Sequence, residues 1–113
     1  MTEDFYCDEV LSGKTAVKKI RETDNVIAFY HTRPFWETHI VVIPKKHISS
    51  LLTVEESDED LMLEIMEIIK SGSADVMAEK GAVRVLTNLG RYQDSKHLHF
   101  HINSGDQIRS DEK

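Results

Sequence analysis

Apolar and polar positions along the chain follow two rhythms. Residues 16–21 and 26–30 alternate around a turn at Thr23, Asp24 and Asn25 and read as two strands. A β-branched run over 39–43, stopped by Pro44, reads as a third. Residues 31–37 between them read as a loop, because Arg33 precedes Pro34 and is pushed toward extended backbone. The rhythm then changes. Thr53 and Glu56 match a capping box, and Leu61, Ile65, Ile68 and Ile69 recur at helical spacing with acids opposite. Val76 and Met77 carry that stripe past Ser71, Gly72 and Ser73 to Gly81, where the helix is expected to stop. The methionine-bearing stripe reads as core or interface, and the acidic run 55–60 as a solvated helix start favoured by the helix dipole. Residues 83–87 and 97–103 read as the closing strands, 5–11 as a short helix ended by Ser12 and Gly13, and the chain from about residue 105 as a polar tail. The prediction is an α+β fold: one domain over residues 1–113, an antiparallel sheet, one main helix and a short N-terminal helix.

Composition narrows the partners. A chain of 113 residues suits one domain with a modest core. A formal net charge of −6 lacks the basic stripe that a nucleic-acid surface needs, although a few local donors suffice for a mononucleotide. No apolar run approaches the roughly 20 residues that span a bilayer, and residues 1–10 show no signal-peptide pattern. A single cysteine excludes an internal disulfide framework. The expectation is a cytoplasmic protein with no membrane and no nucleic-acid partner.

The chemistry concentrates in residues 97–101, which read His-Leu-His-Phe-His. On a strand, His97, His99 and His101 line one face while Leu98, Phe100 and Ile102 take the other. No hydrophobic core requires such a row. The outer two lie about 13 Å apart at Cα, too far to share one metal without bending the strand. One imidazole working as nucleophile or base, flanked by others that orient it or donate, makes a lighter demand. His39 and His47 bracket the strand before Pro44, so the histidines gather around two strands.

The runs 39–48 (His-Ile-Val-Val-Ile-Pro-Lys-Lys-His-Ile) and 97–102, with Asn88, Leu89 and Gly90 a strand earlier, resemble the histidine triad (HIT) family, whose signature alternates three histidines with apolar residues. The resemblance spans residues 4–105 and is closest to the Hint-like branch of nucleotide hydrolases. It implies attack by His99 on the α-phosphate of a purine nucleotide conjugate, through a nucleotidyl-histidine intermediate. It places His101 at the phosphate and leaving group, with His97 and His39 as an orienting relay behind His99. It puts Asn88, Gln93 and Asp94 at the phosphate or leaving group, with Ser95 one place later. His31, followed by Thr32, stands where an aspartate usually grips the ribose. Trp36 replaces a small residue beside the base pocket. The resemblance also implies a homodimer and a reaction that requires no cofactor. Relatives that hold structural zinc use Cys-x-x-Cys with two histidines; here Asp4, Cys7, His47 and His97 make a weaker set, and a half-lost site with Cys7 merely buried is favoured. The expected activity is that of a nucleoside phosphoramidase. A dinucleoside polyphosphate hydrolase, a non-catalytic nucleotide-binding regulatory module and a zinc-binding module are the rivals.

Overall fold

A computed structural model describes residues 6–109. A short π-helical turn, Tyr6–Leu11, precedes β1 (Lys19–Glu22), β2 (Val26–Tyr30) and β3 (Trp36–Pro44). The long helix α1 (Glu59–Lys80) follows, then β4 (Arg84–Leu86) and β5 (Phe100–Gln107). The strands form one sheet in the order β1-β2-β3-β5-β4, and every neighbouring pair is antiparallel. This is the α+β architecture that the two rhythms predict.

Alternation sorts the side chains between two faces. Val26, Ala28, Ile40, Val42, Phe100 and Ile102 meet Ile65, Ile69 and Val76 of α1 in the main core. Each such side chain taken fully from water contributes about 1.5–3 kcal/mol before conformational costs. Gly72 lets helix and sheet approach closely, since a Cβ there would sit 3.3 Å from Ile102. The opposite face is divided. Ile27, Phe29, Val41 and Ile43 lie under Tyr6 and Val10, and the histidines occupy the rest.

Strand β1 starts at Lys19 rather than 16, and β3 at Trp36, inside the expected loop; three further boundaries differ from the sequence pattern for a local reason. Helix α1 starts at Glu59 rather than at Thr53. The Thr53 hydroxyl is taken by the Ser50 amide and the Glu55 amide by the Asp58 carboxylate, so two short 3-10 turns, Leu51–Thr53 and Glu56–Asp58, come first. Strand β5 starts at Phe100, not at residue 97. Its register with β3 would set Leu98 opposite Pro44, which has no N–H to give; the Leu98 amide instead bonds the Ile48 carbonyl. At its other end β5 runs through the expected polar tail to Gln107. A bulge there sets Ser104 opposite Thr38 but Gln107 opposite Trp36. Gly105 makes that bend at φ +86°, where any Cβ would collide with Glu37. The first residue of the predicted short helix, Phe5, lies outside the described residues. No helix among the described residues is long and apolar enough to cross a membrane.

Candidate active site

Strands β3 and β5 lie side by side at the centre of the sheet, with Val41 opposite His101 and His39 opposite Asn103. Their odd-numbered residues share the face away from α1. His39, His99 and His101 are therefore brought together and are all buried, although residues 97–99 precede the strand proper. His31, just past β2, stacks on His39 with ring centroids 4.3 Å apart. The row continues at the same period to Asn103, which is also buried.

Fixed main-chain groups set the direction of each ring. The Phe35 amide donates to Nδ1 of His39 over 3.0 Å. A neutral His39 must then carry its proton on Nε2, which lies 2.9 Å from Nδ1 of His101. His101 accepts there and carries its own proton on Nε2. His99 is set the other way: its Nδ1 donates to the main-chain carbonyl of His97 over 2.7 Å, so Nε2 is the lone-pair nitrogen of the neutral ring. The two rings are 4.9 Å apart. One presents an N–H and its neighbour a lone pair.

The electrostatics keep the linked rings neutral. Burial first, then the charges that His31 and His99 would carry and the charge of Arg109, push His39 down to about 3. Burial first and the neighbouring imidazoles second hold His101 well below the usual histidine range, and burial lowers His31 to about 4. Burial, with a contribution from Asp94, raises the Tyr6 phenol above its ordinary range, so it stays protonated.

A cavity of about 190 Å³ opens over these rings. Tyr6, Phe35, Trp36, Leu86 and Tyr92 supply apolar and aromatic walls, and Asn88, Asp94, Asn103 and Gln107 supply polar ones, around His31, His39, His99 and His101. Tyr6 tilts onto His99 at 4.9 Å. Several expected contacts stand elsewhere. The His97 ring is fully buried and donates from Nε2 to the Pro44 carbonyl over 2.7 Å, so this residue meets His99 through its carbonyl. His39 engages His101 in the same way that it was expected to serve His99. Gln93 is turned inward, its amide donating to the carbonyls of Ser49 and Ser95, and Ser95 is buried. Thr32 is exposed and does not line the cavity. Tyr6, Phe35, Leu86, Tyr92 and Gln107 were not anticipated, because they arrive from separate elements. Asn103 continues the period-two row and was legible there.

A second cluster lies behind the first. Cys7, His47 and His97 bring Sγ and two ring nitrogens within 4.8 Å of one another. Cys7 Sγ is 3.3 Å from Nδ1 of His97 and 3.9 Å from Nδ1 of His47. Around tetrahedral zinc, sulfur and nitrogen ligands stand about 3.6 Å apart, so these donors fit that ion. The Pro44 carbonyl also holds His97 with Nδ1 as its lone-pair nitrogen. Asp4, the fourth member of the expected set, lies outside the described residues.

The HIT domain family model matches residues 12–108. The chain belongs to the HIT family. Uncharacterized HIT-like proteins are similar to this HIT protein: one from Helicobacter pylori strain 26695 is 29% identical over 102 residues, covering 88% of this chain and 95% of its own. One from Chlamydia muridarum is 31% identical over 104 residues, covering 91% of this chain and 82% of its own. Among solved structures, a HIT family hydrolase from Legionella pneumophila superposes with a TM-score of 0.80 at 26% identity, covering 97% of this chain and 99% of that one. A histidine triad protein from Clostridium difficile superposes at 0.74 with 31% identity, covering 99% and 98%.

Burial of neutral imidazoles makes this HIT protein sensitive to acid. Unfolded histidines titrate near 6.5, whereas His31, His39 and His101 titrate lower when folded. Between those values the unfolded chain binds more protons, so stability is full above about pH 6.5 and falls as pH drops toward about 4. Thermal unfolding across that window should show the fall, and His101→Gln should lower the slope by about one proton.

Proposed function

We propose that this HIT protein hydrolyses a purine nucleoside phosphoramidate at its α-phosphate, with His99 as the nucleophile. The observation that carries the reading is the opposed setting of two adjacent buried rings: a lone pair on His99 Nε2 beside an N–H on His101 Nε2. In the first step His99 Nε2 attacks phosphorus and the P–N bond breaks. The leaving nitrogen takes its electron pair and the Nε2 proton of His101. The phosphorylated His99 keeps its Nδ1 proton and is cationic, which offsets the charge left on the neighbouring ring. Water then gives a proton back to His101 as its oxygen attacks phosphorus, releasing the nucleoside monophosphate and free His99. Asn88, Asp94, His31 and Asn103 stand within reach of phosphate and sugar, and the aromatic walls offer stacking faces for a base. Among the described residues the lining contains no lysine or arginine.

Purified protein should hydrolyse an adenosine phosphoramidate in the presence of a chelator, with a covalent adduct on His99 detectable by mass spectrometry. His99→Ala should lower turnover at least about a thousandfold while still binding AMP. Equal turnover by the two proteins would exclude His99 as nucleophile; no turnover by either, with AMP bound, would favour a binding module.

We also propose that Cys7, His47 and His97 hold a structural zinc ion that pins the N-terminal turn to the sheet. Plasma emission spectrometry should find one zinc per chain, lost in Cys7→Ser together with thermal stability. Metal-free protein of unchanged stability would show that the cluster is packing alone.

A second copy of the chain is proposed to cover edge strand β4 and the outer stripe of α1, where Val85, Leu63, Met66 and Met77 are exposed. Sedimentation should give a dimer mass, and Val85→Asp should shift it to the monomer.

A further inference from the structure

The direction of the His39–His101 hydrogen bond depends on one amide, in a loop whose own bonds, from the His31 amide to the His39 carbonyl and from the Arg33 amide to Nδ1 of His31, stop short of residues 34 and 35. Residues 31–35 carry the Arg33–Pro34 pair and leave the sheet before β3 begins. Further support comes from the far end of the chain. Past the Gly105 bulge, the Ile108 amide donates to the Phe35 carbonyl over 2.8 Å. The Arg109 guanidinium donates through Nη2 to the Arg33 carbonyl and through Nε to the Pro34 carbonyl, and lies over the Phe35 ring at 4.1 Å. Gln107 in turn holds the Arg109 carbonyl over 2.9 Å. Three successive residues of the loop are thereby clamped by one planar side chain and the amide beside it. The clamped segment ends at the N–H that meets His39 Nδ1. Phe35 also packs its ring on His31 and His39.

We propose that Arg109 is a positioning residue: by clamping residues 33–35 it holds the Phe35 amide on His39 and so fixes which nitrogen of His39, and then of His101, carries the proton. Arg109 touches no reacting atom in this scheme. Without the clamp, the loop amide is free to leave Nδ1, and His39 has no fixed donor to exclude the other tautomer. His101 would then present a lone pair to the cavity for part of the time, in the orientation unable to protonate a leaving group. Arginine suits the task because its rigid fork reaches two carbonyls while its plane stacks on an aromatic ring, which lysine cannot do. The catalytic consequence rests on the proposed phosphoramidase reading; the tautomer consequence does not.

Long-range proton–nitrogen correlation on the full chain reads the protonated nitrogen of each ring without reference to turnover. The wild type should show Nε2–H on both His39 and His101. Arg109→Ala should give mixed tautomers at both rings and a kcat on adenosine phosphoramidate lower by about tenfold, with KM changed less. Arg109→Lys keeps the positive charge near His31 and His39 but loses the fork, and should mix the tautomers as alanine does. Unchanged tautomers in Arg109→Ala would overturn the proposal, as would wild-type tautomers in Arg109→Lys, which would assign the effect to charge. Wild-type protein with set tautomers and no turnover would overturn the phosphoramidase reading instead, leaving the two variants' spectra to decide the role of Arg109.

Discussion

The hydrogen bond between Nε2 of His39 and Nδ1 of His101 joins two imidazoles that are chemically alike, and either could donate. What makes it directional is a peptide N–H, which can only donate and which occupies His39 Nδ1. His101 then turns an N–H to the cavity. On the adjacent ring the constraint has the opposite sign, because a carbonyl can only accept and so takes the proton of His99 Nδ1. Two similar side chains acquire different chemical characters without any charged group between them.

Such a site exacts a cost in folding. Four imidazoles and an asparagine lie buried on β3, β5 and the segment leading into β5, where apolar residues would pack without polar demands. Each resolved polar contact answers part of that demand: Pro44 for His97, the His97 carbonyl for His99, and Arg84 for Asn103 at 2.8 Å. Low dielectric keeps His39 and His101 neutral, which the tautomer arrangement requires, since an imidazolium has no lone pair to receive a neighbour's proton. The opposite face of the sheet, packed on α1, supplies the apolar burial against which this polar face is held.

The second cluster shares a residue with the first. His97 places its carbonyl on His99 and its ring beside Cys7 and His47. Whatever holds that ring also holds the carbonyl that orients His99. The N-terminal turn belongs to the same arrangement, as Tyr6 packs on Phe29, His97 and His99 together.

Much of this was legible in the chain. Alternation of period two and then of 3.6 gave the strands, the helix and the two faces, because side-chain direction follows from backbone geometry alone. The histidine row and its partner His39 pointed to the site for the same reason, and the row could have been extended to Asn103. Tertiary structure decided what depends on groups distant in sequence. Pro44 ended the sheet at Phe100, Gly105 bent the expected tail into a strand end, and Gln93 turned inward to donate to the Ser49 and Ser95 carbonyls. The tautomers of His39, His99 and His101 were beyond any pattern of residue types. They are set by amides and carbonyls, which every residue possesses, and only the folded chain determines which of these meets which ring.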